Sequence, residues 1–177
     1  AGSEAEAASL YRVALAQGLD AEVFGHLLAA CGGEASPSSL RAPEGYVRET
    51  FDAFAPEFEQ RLGELGYRVP QRLAALVARH TAGGRAMQAL DLGCGTGLAG
   101  EALGAAANVK TANLVGVDLS ARMLESAKRK HCYAELHQAD ILAWLGSASA
   151  ARFDLVLAAD VFIYIGDLAP VFQGIAR

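Results

Sequence analysis

Met87-Gln88-Ala89-Leu90-Asp91-Leu92-Gly93-Cys94-Gly95-Thr96-Gly97-Leu98 is the stretch that decides the fold. Its first six residues form a short, nearly continuous apolar run, as a strand covered on both faces requires. Glycines follow at 93, 95 and 97, and helix-forming residues run from Leu98 to Ala107. Glycine lets the backbone turn tightly and approach a ligand with no side chain between. The helix after the loop presents unpaired N–H groups and the positive end of its dipole, which suits a carboxylate or a phosphate.

The same rhythm continues downstream. Leu114-Val115-Gly116-Val117 is a second buried strand, and Arg122 to Lys130 is a helix that Ser120 is placed to cap. Ala134 to His137 is a short third strand, Phe153 to Ala158 a fourth, and Pro170 to Ala176 a closing helix. Strands and helices alternating in this way predict an α/β fold, a Rossmann-like three-layer sandwich with a parallel sheet and right-handed crossovers. Upstream, residues 4–31 read as two helices broken at Gly18, and residues 32–45 are a linker crowded with glycine, serine and proline. Phe51, Phe54, Phe58, Leu62 and Leu65 predict one amphipathic helix, and Pro70 opens another that runs to about Arg79. The expected division is a helical N-terminal segment with its linker (1–43) and a ligand-binding domain (44–177).

With 53% hydrophobic and 20% charged residues, the 177-residue chain has enough apolar material for one core. A net charge of -5 argues against nucleic acid as a partner. The single basic cluster, Lys128 to His131, falls at an expected helix C-terminus, where cations offset the dipole. The cysteines (31, 94 and 132) form no CxxC pair and the histidines no ligand spacing, so no metal is expected and a reducing compartment is. The sequence shows no signal peptide and no long apolar run, which predicts a cytoplasmic protein with no membrane partner.

Each predicted strand ends at or just before an aspartate: Asp91, Asp118, Asp140 and Asp160. The carboxyl ends of strands are where open α/β sheets bind ligands. Gly95 to Gly100 formally satisfies the dinucleotide pattern GxGxxG, yet the first glycine after the strand is Gly93 and the spacing from there is GxGxG. A carboxylate at Asp91 repels a pyrophosphate and attracts an ammonium group, so the charge favours a ligand with a zwitterionic end. Asp118 is placed either to accept from both hydroxyls of a ribose or to cap the next helix. Asp140 is placed to accept from an adenine amino group with Ile141 against the ring, or to serve as a cap. Leu119 and Met123 line the other face of that ring or belong to the core. Tyr164 leans into the cleft or is structural.

These residues resemble a family. Leu90 to Gly97 is similar to the first motif of class I S-adenosylmethionine-dependent methyltransferases, and Asp118, Asp140 and Asp160 fall where the later motifs lie. Tyr46 to Phe58 looks like that family's leading helix. More narrowly, it resembles the bacterial methyltransferases predicted to follow tetratricopeptide repeats, and Tyr67-Arg68 and Asp160 to Leu168 fit the same subgroup. Glu4 to Cys31 then reads as a remnant repeat, although one repeat cannot form a solenoid.

The resemblance implies S-adenosylmethionine as cofactor and S-adenosylhomocysteine as product. Asp91, Gly93, Cys94, Gly95 and Gly97 would bind the methionine end, Asp118 with Leu119 and Met123 the ribose and adenine, and Asp140 with Ile141 the adenine. Ala159 would sit at the edge of the site, and Tyr46 and Phe51 would close over the cofactor. Asp160 and Tyr164 are the candidate catalytic groups. The family's sheet continues past a fourth strand. The expectation is therefore a sheet ordered 3-2-1-4 and truncated, inactive alone, its exposed edge open to self-association or to the missing C-terminal half. The function expected is methyl transfer to a small-molecule acceptor. The rivals are a non-catalytic S-adenosylmethionine-binding or scaffold module and an NAD-dependent oxidoreductase.

Overall fold

The computed structural model describes residues 3–33, 41–81, 85–107, 109–147 and 153–177. The four strands are β1 (Met87–Leu92), β2 (Thr111–Asp118), β3 (Glu135–Gln138) and β4 (Leu155–Ala158). All pair in parallel in the order β3-β2-β1-β4, so the predicted sheet is present. Asp91 stands level with Gly116 of β2 and Leu157 of β4, and Asp118 is level with Gln138 of β3. The strand ends therefore meet along one edge of the sheet.

The helices are α1 (Glu4–Ala16), α2 (Ala21–Ala30), α3 (Glu44–Phe54), α4 (Phe58–Glu64), α5 (Val69–His80), α6 (Leu98–Ala105), α7 (Ala121–Arg129), α8 (Ile141–Leu145) and α9 (Ala169–Ile175). A 3-10 turn covers Phe162–Tyr164. The chain moves outward from β1 to β3 through α6 and α7, then reverses to β4 through α8. Right-handed crossovers then put α6 and α7 on one face and α8 on the other. α5 packs with α6, and α9 with α8.

Two compact units emerge, and the boundary falls within α3. One comprises residues 1–47 with 162–168, and the other residues 48–161 with 169–177. In the first, Ser3 and Glu6 form a capping box on α1, and Asp20 caps α2 through the amides of Glu22 and Val23. The amide of Ala42 donates to the carbonyl of Tyr164 at 3.1 Å. The second unit holds the sheet. Its buried strand residues include Ala89, Leu90, Leu92 and Val117, and Ala74, Val77, Met87, Leu103 and Leu157 form a cluster between helix and strand.

Two expectations need correction, and one helix went unread. The single helix through Phe51 to Leu65 is two, α3 and α4, with Pro56 in the break. Proline has no N–H to donate and disfavours the helical conformation of the residue before it, so an apolar spacing that runs on past it does not make one helix. Leu65 lies beyond α4 and is 80% exposed. The linker is shorter than expected, because Gly45 already belongs to α3; its residues 34–40 lie outside the described residues. Helix α8 was not anticipated, being only five residues long.

On the α6 and α7 face, one aromatic side chain fills space left by absent side chains. A Cβ placed on Gly97, Gly100 or Gly116 would come within 3.0, 2.6 and 3.0 Å of the Tyr133 ring. Helix, strand and turn can approach there only because those positions are glycine. Gly100→Ala should therefore destabilise the protein. Overpacking costs about 1–3 kcal/mol, against a gain in helix propensity of about 1 kcal/mol. Gly104→Ala in the same helix meets nothing within 4 Å and should stabilise by roughly 0.5–1 kcal/mol. Urea unfolding of both variants checks this, with opposite shifts of the midpoint as the expected outcome.

Candidate functional site

The loop after β1 is built by its glycines. Gly93, Gly95 and Gly97 all have positive φ, at 67°, 54° and 88°. The Gly93 and Cys94 amides both donate to the Val117 carbonyl, at 2.8 and 3.0 Å. The Gly97 amide closes the turn onto the Cys94 carbonyl at 2.9 Å. Gly93 has no room for a Cβ, which would lie 2.4 Å from the Val161 side chain, so the segment after β4 packs directly on the loop. At Gly95 a Cβ would meet only the Phe58 ring, at 4.0 Å. Helix α6 starts after Gly97 with no side-chain cap, which leaves its first N–H groups available to another partner.

Asp118 ties the two strand ends together. One carboxylate oxygen accepts from the Gly95 amide at 2.8 Å, and the other from the Ser120 amide at 2.9 Å. Burial pushes its pKa up, and the amide bonds oppose that rise. The Ser120 hydroxyl accepts from the Met123 amide at 3.0 Å and donates to Asp52 of α3 at 2.5 Å. Asp52 also accepts from the Arg122 amide at 3.2 Å. Its pKa is lowered, chiefly by the Ser120 hydroxyl. The start of α7 is thus capped twice, and the leading segment is tied to the residue next but one to Asp118.

Asp91 is wholly enclosed, at 0% exposure. Its Oδ2 accepts from the Tyr133 hydroxyl at 2.6 Å, while its Oδ1 has no partner. Burial raises its pKa to about 7; the Tyr133 hydrogen bond works the other way, and the nearby charge of Asp118 adds to the rise. Thr96, 2% exposed, also has an unpartnered side-chain oxygen. Buried polar atoms without partners carry a desolvation cost that a ligand can relieve. A glycine loop with open space at Gly95, an uncapped helix start and two orphaned oxygens fit a ligand with a zwitterionic end.

The other expected residues fall as follows. Cys94 contributes its backbone to the loop while its side chain is buried against the Gly116 position; burial first, then Asp91 and Asp118, push its thiol up. Met123 is 1% exposed and packs in the core. Leu119 is half-buried, and its carbonyl accepts from Gln138 at 3.2 Å. Asp140 caps α8 through the Ala143 amide at 3.0 Å, and Ile141 is buried behind it. Ala159 is half-buried. Asp160 is exposed, with a positive φ of 53°, and accepts a hydrogen bond from the Tyr67 hydroxyl. Burial and then that bond raise the Tyr67 pKa. Phe51 packs edge-on to Phe58 with ring centroids 6.3 Å apart. Tyr46 and Tyr164 belong to the other compact unit, where the Tyr46 ring lies 6.4 Å from His26.

Four residues that reading the sequence did not place at the site stand out: Tyr133, Asp52, Phe58 and Tyr67. Asp52 and Phe58 lie in the leading segment and Tyr67 in the Tyr67-Arg68 pair that carry the resemblance, whereas nothing in the sequence marked Tyr133. A cleft of about 310 Å³ borders the loop at Thr96 and is lined by Ala55, Pro56, Glu59, Ser126, Arg129 and Lys130. Its cations are already engaged: Lys130 pairs with Glu59 at 3.2 Å and Glu101 at 2.8 Å, and Arg129 bonds Ser126 at 2.8 Å. Among the described residues no cluster fits a metal ion, and no helix is long and apolar enough to cross a membrane.

Residues 89–177 match the family model described as a methyltransferase domain. A trans-aconitate 2-methyltransferase from Azoarcus sp. (strain BH72) is 36% identical over 124 residues, which covers 70% of this chain and 42% of that protein. The same enzyme from Paracidovorax citrulli (strain AAC00-1) is 46% identical over 59 residues, covering 33% of this chain and 22% of its own. The chain thus spans less than half the length of these curated relatives. Magnesium protoporphyrin IX methyltransferase from Synechocystis PCC 6803, solved with bound S-adenosylmethionine, shares the fold. Its TM-score is 0.58 at 21% identity, over 75% of this chain and 70% of that one. The family model begins within β1 and runs through the glycine loop and every later strand, so the chain belongs to the methyltransferase-domain family.

Proposed function

We propose that this chain binds S-adenosylmethionine at the β1 loop and forms part of a methyltransferase acting on a small-molecule acceptor. The observation that carries the reading is the pair of buried, unpartnered oxygens, Asp91 Oδ1 and Thr96 Oγ1, beside an uncapped helix start. The family membership and the solved relative that holds this cofactor support it. Bound there, S-adenosylmethionine supplies a methyl group already activated by its sulfonium.

The chain's own residues then have separate tasks. Asp91 attracts the ammonium group, and the first turn of α6 faces the carboxylate. Asp118 keeps acceptor capacity beyond its two amide bonds, because a carboxylate has about four lone-pair sites, and these serve the ribose hydroxyls. Asp140 and Ile141 take the adenine. Phe58, backed by Phe51, borders the space beside Gly95 and limits the water there, which strengthens nearby polar contacts. Asp160, exposed at the end of β4 and held by Tyr67, is the group placed to hold a proton from an acceptor. The curated relatives are named for trans-aconitate, and a small acceptor of that kind is the proposed class. A buried carboxylate at Asp91 disfavours the pyrophosphate of NAD.

Calorimetry tests the cofactor: S-adenosylhomocysteine should bind and NAD should not, and the reverse order would sink the reading. Asp118→Asn should weaken S-adenosylhomocysteine at least about tenfold, since hydrogen bonds to a charged group are worth about 1.5–3 kcal/mol. Phe58→Ala should raise the dissociation constant several-fold and lower the unfolding midpoint modestly, its half-buried ring packing edge-on against Phe51 and Phe54.

A further inference from the structure

Tyr133 lies outside every motif, on the turn between α7 and β3. Its ring occupies a slot that requires glycine on three separate elements: Gly97 at the start of α6, Gly100 within it, and Gly116 in β2. Packing alone would be met by any apolar residue of that size. The hydroxyl reaches further, to Asp91 Oδ2 at 2.6 Å. No other hydroxyl is bonded to that carboxylate among the described residues. One oxygen of Asp91 is thereby occupied and oriented, and the second is left buried and without a partner.

We propose that Tyr133 is a positioning residue of the cofactor site: its hydroxyl holds the Asp91 carboxylate so that Oδ1 is the acceptor for the ammonium group of an amino-acid-bearing nucleoside. This rests on the S-adenosylmethionine reading above. The pairing also favours the ionised carboxylate against the cost of burial. The groups facing Asp91 are Tyr133 from the turn, Asp118 from β2, Cys94 from the loop, and Cys132 beside Tyr133. Tyr133 donates to the charge, whereas Asp118 opposes it. An ammonium ligand should therefore bind better as pH rises through about 7, where Asp91 loses its proton.

The test compares two ligands on the whole chain. S-adenosylhomocysteine carries the amino-acid end, and 5'-methylthioadenosine lacks it. Tyr133→Phe keeps the ring in its glycine slot and removes only the hydroxyl. It should weaken S-adenosylhomocysteine at least fivefold at pH 7, leave methylthioadenosine unchanged, and move the pH at which S-adenosylhomocysteine binding rises to a higher value. Asp118 also titrates, but it acts on both ligands, so the difference between them isolates Asp91. Asp91→Asn should abolish that difference. Equal weakening of both ligands, or none, would overturn the proposal. If the unaltered chain binds methylthioadenosine but shows no gain for S-adenosylhomocysteine, this proposal fails and the nucleoside site stands. If it binds neither, both fail. A readout independent of ligand is the carboxyl carbon resonance of Asp91 in the free protein. Its titration midpoint should rise in Tyr133→Phe, and an unmoved midpoint contradicts the assignment.

Discussion

The Asp118 carboxylate holds the Gly95 amide on one side and the Ser120 amide on the other, and the site depends on this bridge. A chain leaving β1 with three positive-φ residues in five has many ways to go. Glycine permits those conformations and selects none of them. The selection comes from the neighbouring strand: the Val117 carbonyl takes two loop amides and the next residue takes a third. The same carboxylate sets the entry to α7, and the second cap from Asp52 draws the leading segment to that point. Asp118 thus links the glycine turn to the following helix, and Ser120 with Asp52 extends that link to the leading segment.

Electrostatics follow from enclosure. Asp118 lies close enough to raise the cost of the Asp91 charge, Asp52 does the same to Asp118, and both strand-end carboxylates are taken out of water. Such an arrangement is unfavourable for the protein alone, and only amide and phenol donors offset it. A positively charged group arriving beside Asp91 turns that cost into affinity. The fold therefore keeps a carboxylate poised near neutrality at the strand end, where an ordinary surface aspartate would be fully ionised and screened.

Much of the fold was legible because β1 and β2 are buried on both faces and read as apolar runs, with glycines and aspartates punctuating them. The order of the strands came with the family resemblance, while the alternation of strands and helices by itself gave only a parallel sheet with right-handed crossovers. The split of α3 from α4 was written at Pro56, but the apolar spacing of Phe51, Phe54, Phe58 and Leu62 is nearly helical across it and hid the break. Helix α8 was too short to show a period. At the site, the glycines and the terminal aspartates announced themselves by position. Tyr133 and Asp52 did not, because what they do depends on partners 42 and 68 residues away in sequence. Nothing local in either segment marks that meeting. Asp140 shows the converse: its capping of α8 is visible in the structure, and any role toward a ligand must be additional to it.

The central claim is that the loop between β1 and α6 is a binding surface for S-adenosylmethionine. Amide proton–nitrogen spectra of the labelled chain, titrated with S-adenosylhomocysteine, test it most directly. The account predicts the largest shifts at Gly93, Cys94, Gly95, Thr96 and Gly97, with Asp118 and Ser120 next. Shifts centred elsewhere, or none at concentrations that saturate related enzymes, would contradict it.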